Sequence, residues 1–598
     1  METAVLAIED DWRFHNNFAN TLKAAARFEE AAGHYRRAIA LHDGSIEPFY
    51  NLGVTMIESG NLAEAERWLR HALAIDPAHG LTHLNLGNIL NANGQLQAAE
   101  MHYQCAMLSI AGDARLLNNY GQLLNKLHRF SEAEAYFREA IRRDECFPHP
   151  CANLAELMAG HGLVTEAETL LRHALSLDVG LAKAHSNLLF VLALRDDCSA
   201  EKLLAEHLAY AAQFEVPLKP CWPQHANSRD PERRLRVGFV SGDLRDHPVA
   251  RYLMPALQQL VRYDELELYA YSNGVKNDAQ TAQYRALFTH WQDSALVPDE
   301  ALARRIIADG IDILIDLSGH SGDNRLLTFA RRPAPVQVSW MGYVGTTGLE
   351  AMDYFVGDEH LTPASVHAQF REKILLLPAT TTFEPFAPAI EPNALPALAS
   401  GVFTFCCVAR INKLNRPHVA LWARMLQCAP ASRMLLATLP GGAEPERVKA
   451  WFAEAGVGAE QLIFAHARTV EEQLRLHHMA DLCLDTFPYN GATTISHALC
   501  LGVPTLTLRG AVLGSRLGAS INSHVGITEF IAEDGEAYVR KAVAWTQDLP
   551  ALARLRGELP SMFAASALRQ HEDVADALVL KLRVAWRRWC EGLPPEHL

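Results

Sequence analysis

Positive charge is scarce in this chain. Lysine and arginine number 54 against 69 aspartates and glutamates, a formal net charge of −15 over 598 residues. With no basic block to meet phosphates, a general nucleic-acid binder is excluded. No apolar run approaches the roughly 20 residues that cross a bilayer, so no membrane span is expected. The opening METAVLAIEDDWRF has no basic stretch leading into a long apolar one, so no signal peptide is expected. Low-complexity tracts are missing. The eleven cysteines never fall at CxxC spacing, and such an unpatterned set reads as reduced thiols of a cytoplasmic protein. No DxD-like acidic pair is placed for a metal. What is present is ordinary for a globular protein, 49% apolar and 21% charged, and the length favours several domains.

The first third carries a repeat. Asn17, Asn51, Asn85, Asn119, Asn153 and Asn187 are each 34 residues apart. That period belongs to helix–turn–helix solenoids of the tetratricopeptide (TPR) type. Small residues recur at Ala31, Ala65, Ala99 and Ala133, and again seven positions later at Ala38, Ala72, Ala106 and Ala140. Between them stand Tyr35, Leu69, Tyr103 and Phe137. Small residues let helices approach, and the large one fills the gap that remains. Pro77 follows Asp76 where a second helix should stop. The sixth repeat drifts, with Glu201 where alanine is expected, as suits a terminal unit. One asparagine at this position is ordinary for such repeats. Six in register form a ladder whose donors and acceptors could grip an extended acceptor peptide by its backbone.

Beyond residue 215 the periodicity changes. We expect a repeat superhelix over 1–215, a Pro-rich and charged linker over 216–233, and a first lobe over 234–385. A hinge over 386–400, a second lobe over 401–548 and closing helices over 549–598 complete the chain. Within the lobes, short apolar runs alternate with helical stretches: RLRVGFVSG, LELYAYS, DILIDLSG, VQVSW and KILLLP in the first, VFTFCCVAR, RMLLATL, LIFA, DLCLDT and VPTLTL in the second. This alternation predicts two doubly wound parallel sheets with a cleft between them, and ligands of such sheets bind beyond the strands' carboxyl ends. Cys406 and Cys407, adjacent in one strand, should face opposite sides.

Five motifs lie at predicted strand ends. GDLRDHPVARYLM (242–254) offers His247, either an acid–base group or a loop histidine that caps the next helix. IDLSGHSGDNR (315–325) brackets His320 with glycines, and RRPAPVQVSWMGYVGTTG (331–348) sets Gly345 and Thr346 in a loop that could wrap a phosphate or sugar. CCVARINKLNRP (406–417) carries Arg410 and Lys413, a diphosphate clamp or a solvated pair. LCLDTFPYNGATTISHALCLGVPTLTL (482–508) is the strongest. Asn490, Gly491, Ala492, Thr493 and Thr494 open a helix whose free amides and dipole suit phosphate, against the plain alternative of a threonine cap. His497, four residues after Thr493, should share its helix face. Together the motifs suggest a nucleotide diphosphate held mainly by the second lobe.

In combination these motifs resemble one family, the O-linked N-acetylglucosamine transferases of glycosyltransferase family 41, with their bacterial and plant relatives, among them the plant O-fucosyltransferase. The likeness runs over nearly the whole chain and is closest to bacterial-type members. It implies an α solenoid followed by a GT-B region of two Rossmann-like lobes. It also implies inverting, metal-independent transfer of a sugar, UDP-N-acetylglucosamine first among donors, to serine or threonine of a bound protein. In that resemblance His247 is the active-site histidine, Lys413 the lysine on the diphosphate, Thr493 and Thr494 the phosphate-binding helix start, and the asparagine column the acceptor ladder. The chain departs from the animal pattern where Arg410 replaces a glutamine, Ala492 a histidine and His497 an aspartate associated with the ribose. Gln473, Val470 and Val344 also depart from it, and the long insert between the animal lobes is absent. These changes gather around the nucleotide, so another UDP-hexose or GDP-fucose, an asparagine or glycan acceptor, or a non-catalytic scaffold stand as alternatives. The oligomeric state stays open.

Overall fold

The computed structural model of the chain describes residues 11–386, 390–437 and 444–598. The opening decapeptide, part of the expected hinge and the end of the RMLLATL run therefore lie outside the described residues. The chain divides into two compact units, Met1–Leu157 with Arg172–Asp178, and Met158–Leu171 with Val179–Leu598.

The first unit is built from antiparallel helix pairs: Trp12–Ala24 with Phe28–Leu41, Ile46–Glu58 with Leu62–Ile75, Gly80–Ala92 with Leu96–Ile110, and Ala114–Lys126 with Phe130–Arg143. Both alanine columns are fully buried, as are Tyr35, Leu69, Tyr103 and Phe137. The slot that receives the large residue is a second column, of glycine. A Cβ on Gly53, Gly87 or Gly121 would stand 2.7, 2.5 or 2.8 Å from Leu69, Tyr103 or Phe137. The turn inside each of these four pairs places one residue at positive φ, at Ala26, Gly60, Gly94 and His128. Glycine suits that position, and Ala26 and His128 hold it under strain.

The second unit holds the last repeat helices, Ala182–Ala193 and Ala200–Phe214, and both α/β lobes. In the first lobe the strands are β1 Leu235–Ser241, β2 Leu266–Ser272, β3 His290–Asp293, β4 Ile313–Asp316, β5 Val336–Ser339, β6 Tyr354–Gly357 and β7 Lys373–Leu376. They form one parallel sheet in the order β3-β2-β1-β4-β5-β6-β7. In the second lobe β8 Thr404–Val408, β9 Arg433–Ala437, β10 Leu462–Ala465, β11 Leu482–Leu484, β12 Thr505–Leu508 and β13 Ile531–Ala532 run parallel in the order β10-β9-β8-β11-β12-β13. The order reverses beside β1 and beside β8, which opens a crevice at the carboxyl end of each sheet.

Cys406 and Cys407 do face opposite sides, one in each of two separate apolar clusters, and all eleven cysteines are free thiols. The closing helix His571–Cys590 packs on the segment that leads into the first lobe, where Arg583 donates to the carbonyls of Pro231 and Arg233 and Trp586 to that of Asp230. No described helix is long and apolar enough to cross a membrane.

Candidate active site

Loops from both lobes enclose a cavity of about 280 Å³. The first lobe contributes His247, Tyr252, Tyr343, Val344 and Asp358, and the second Lys413, Tyr489, Asn490, Ala492, Thr493 and Ser496.

Lys413 follows β8 in a single 3-10 turn, Ile411–Lys413. Its Nζ donates to the carbonyl of Asn490 at 2.8 Å and lies 4.9 Å above the ring of Tyr489. Burial lowers its pKa to about 8, opposed by the charge of Asp485 and reinforced by that of Arg410. Arg410 itself is exposed beside this turn.

Asp485, at the end of β11, organises the loop that follows. One carboxylate oxygen accepts from the amides of Thr486 and Gly491, both at 2.8 Å, and the other from the Thr507 hydroxyl at 2.8 Å. Burial raises its pKa to about 6. Asn490 is fully engaged too. It donates to the carbonyls of Thr486 and Gly514, and its side-chain oxygen accepts from Gly518 N. The loop thereby delivers the helix Thr493–Cys500 with Ala492 at its N-cap, and no side chain caps it. The first amides of the helix are left as donors at a positive helix end. A threonine cap is thus ruled out as the reason for the NGATT sequence. The Thr493 hydroxyl meets that of Tyr252, from the other lobe, at 2.9 Å.

His247 stands half-buried after β1. Its Nδ1 is 3.4 Å from Asp243 Oδ2 and 3.4 Å from Val249 N. The two contacts ask opposite things of Nδ1, a proton for the carboxylate and a lone pair for the amide. Burial lowers the histidine pKa, the Asp243 carboxylate opposes this, and the positive charges of Arg245 and Arg410 add to the lowering. Asp243 is itself raised by burial.

Several expected donor contacts lie away from the cavity lining. His320 is fully buried. Its Nε2 donates to the carbonyl of Thr347 at 2.9 Å, so its Nδ1 must accept from the Ser186 hydroxyl at 3.1 Å. Thr346 turns inward and donates to buried Glu372, which also holds the amide and hydroxyl of Thr347. Gly345 closes on the ring of Tyr343. His497 does not share the cavity face of Thr493. It packs edge-on against Phe383 at 5.1 Å, its Nε2 is buried without a partner, and burial lowers its pKa to about 3. Thr494 leans over Gly491, where a Cβ would meet its hydroxyl at 2.2 Å.

Of the asparagine column, Asn51, Asn85, Asn119 and Asn153 each donate to a side chain of an earlier repeat: Asn16, Tyr50, Asn88 and Asn118 respectively. Their amide nitrogens join neighbouring repeats, and the Asn119 side-chain oxygen also accepts from Asn118. Asn17 is exposed and Asn187 half-buried.

Sequence reasoning did not single out Tyr252, Tyr343, Tyr489 or Asp358. The three tyrosines lie inside motifs already noted. Asp358 directly follows β6 in MDYFVGD, and its carboxylate accepts from Leu361 N, Thr380 and Ser520. His524 and these donors hold its pKa well below the usual carboxylate range. Among the described residues no cluster of three or more His, Cys, Asp and Glu side chains is set to hold a metal ion.

Two parallel α/β lobes thus face one cavity, with Lys413 and an uncapped helix start on one side and His247 on the other. The family model described as "Glycosyl transferase family 41" matches residues 195–385 and 390–578, and TPR models match 22–77 and 80–145. The chain belongs to glycosyl transferase family 41. It is 30% identical over 429 residues to the Petunia hybrida protein named "Probable UDP-N-acetylglucosamine--peptide N-acetylglucosaminyltransferase SPINDLY", covering 70% of this chain and 46% of that one. To the Arabidopsis thaliana SEC protein, named in the same way, it is 30% identical over 376 residues, covering 61% and 38%. The chain therefore spans about half the length of these relatives or less. A solved structure of a mutant Thermobaculum terrenum O-GlcNAc transferase superposes with a TM-score of 0.80 at 31% identity, covering 86% of this chain and 99% of that one.

Proposed function

We propose that the protein is an inverting, metal-independent O-glycosyltransferase. It transfers a sugar, N-acetylglucosamine from UDP-N-acetylglucosamine, to serine or threonine of proteins held by the repeats. The observation that carries this reading is the placing of Lys413 Nζ at 2.8 Å from the Asn490 carbonyl, beside an uncapped helix start and in one cavity with His247. The ammonium, with Arg410 close by, and the free amides would take up the charge of the departing diphosphate and so stand where other enzymes use a metal. The acceptor hydroxyl oxygen attacks the anomeric carbon as the bond to the diphosphate oxygen breaks on the opposite face. The hydroxyl proton passes to Nε2 of His247, which Asp243 orients and whose imidazolium it stabilises. The names of the plant relatives and of the Thermobaculum protein favour UDP-N-acetylglucosamine as donor. The unpatterned, unpaired cysteines suit a cytoplasmic enzyme whose partners are a nucleotide sugar and an acceptor protein.

The test is a panel of UDP- and GDP-sugars, each incubated with the full chain and candidate acceptor proteins, read by mass spectrometry of modified peptides. Hexosamine on serine or threonine from UDP-N-acetylglucosamine is expected. Transfer only from GDP-fucose or another UDP-hexose would replace the donor. Modified asparagine would replace the acceptor. No transfer from any donor, with the protein folded, would leave a scaffold.

A further inference from the structure

The cavity is backed from behind by the last repeat. In helix Ala200–Phe214, Nδ1 of His207 is 2.7 Å from the Leu203 carbonyl, and Nε2 is 3.0 Å from the Tyr343 hydroxyl. A carbonyl only accepts, so Nδ1 carries the proton. Nε2 is then an acceptor, and the tyrosine donates to it. Both side chains are buried, His207 at 1% and Tyr343 at 2% exposure. The loop around Tyr343 is pressed onto this helix, since a Cβ on Gly348 would fall 2.4 Å from the His207 carbonyl oxygen. From helix Ala182–Ala193, Phe190 packs on Tyr489 at 5.7 Å, in a cluster with Ala193, Leu194 and Val344. Tyr489 is the ring under Lys413.

One helix pair thus supports a wall of the cavity on each lobe: Tyr343 through a hydrogen bond, and Tyr489 through packing. We propose that His207 is a positioning residue for sugar transfer. It fixes Tyr343, while its partner helix fixes Tyr489 beneath Lys413, so the last repeat sets the spacing across the cavity. This rests on the transferase reading above. The tyrosine hydroxyl has its acceptor in a histidine that burial keeps neutral near pH 7, with a pKa lowered to about 4.

The test uses the full chain with His207→Phe, His207→Gln, Tyr343→Phe and the His207→Phe/Tyr343→Phe double variant. The reads are kcat and KM for the donor, and hydrogen exchange over residues 341–346 and 487–494. Loss of one buried hydrogen bond should lower kcat/KM of His207→Phe about tenfold, mainly in kcat. Glutamine, whose carbonyl can accept from Tyr343, should restore it to within about threefold. The double variant should be no worse than its single parents, because the two residues act as one. Exchange at 341–346 should quicken in His207→Phe and not in His207→Gln. Wild-type kcat/KM in folded His207→Phe, additive losses in the double variant, or no rescue by glutamine would overturn the proposal. If the wild-type chain transfers no sugar, the transferase reading fails by itself, and unchanged exchange at 341–346 would then overturn the positioning claim separately.

Discussion

The two lobes share one sheet topology and use it in opposite ways. In the first, the loops after β4 and β5 turn their polar groups inward. His320 bonds Ser186 and Thr347, and Thr346 and Thr347 bond Glu372. In the second, the loops after β8 and β11 bring Lys413, Asn490 and the start of the next helix to the cavity. Asp485 and Asn490 are satisfied internally, while the start of the helix Thr493–Cys500 stays uncapped and Lys413 keeps its charge beside it. The lesson is that a polar motif at a strand end marks a candidate binding loop only where its donors line the cavity. Motif position alone does not separate a support from a site.

Substitutions that exchange the two kinds of loop would break this contrast. The largest effect is expected in the second lobe. Lys413→Ala should cut kcat about 10²–10³-fold, the scale of losing one preorganised donor to a developing charge, with the melting temperature nearly unchanged. His247→Ala should cut it about 10²-fold as a general base is lost. Steady-state transfer assays check both, and wild-type turnover in either variant would refute its role. In the first lobe the expectation reverses. Thr346→Ala should leave kcat within a few-fold and destabilise the fold by about 1–3 kcal/mol, since buried Glu372 loses a hydrogen bond, as read by urea unfolding.

The charge on Lys413 gives a pH signature. Its folded pKa of about 8 lies below the ordinary 10.5, so the ammonium is lost as pH rises through about 8. Donor kcat/KM should therefore be flat near pH 7 and fall above about 8. Stability has the opposite sign, because the buried charge costs the fold below pH 8 and that cost is relieved between 8 and 10.5. The smallest effect belongs to the repeats. His128→Gly should stabilise the first unit by about 0.5–1 kcal/mol by removing a side chain from a left-handed turn, measured as a shift in its unfolding midpoint.

Much of the fold was legible in the sequence because its signals are periodic. A 34-residue column recurs whatever its surroundings, and most strands of both sheets are apolar runs between turns. The three strands that were not read lack that signal. β3 is HWQD, polar and half-exposed at the sheet edge, β6 is a four-residue YFVG run, and β13 is only two residues long. The glycine slots at Gly53, Gly87 and Gly121 went unread because their meaning lies in the partner helix. The site was legible in part. Lys413, His247, Ala492 and Thr493 do come to one cavity, since each follows a strand at the carboxyl end of its sheet. His320, Thr346 and His497 sit equally well in the sequence, yet they are claimed by Ser186, Glu372 and Phe383, which come from distant segments. No local pattern foretells a partner 134 residues away, as with Ser186 and His320.

The central claim is that Lys413 and the uncapped helix start hold a nucleoside diphosphate. Calorimetric titration of UDP into the wild-type chain and into Lys413→Ala tests it directly. The account predicts saturable binding to the wild type that weakens at least tenfold, about 1.4 kcal/mol, in the variant. Equal affinity in the two folded proteins would contradict it.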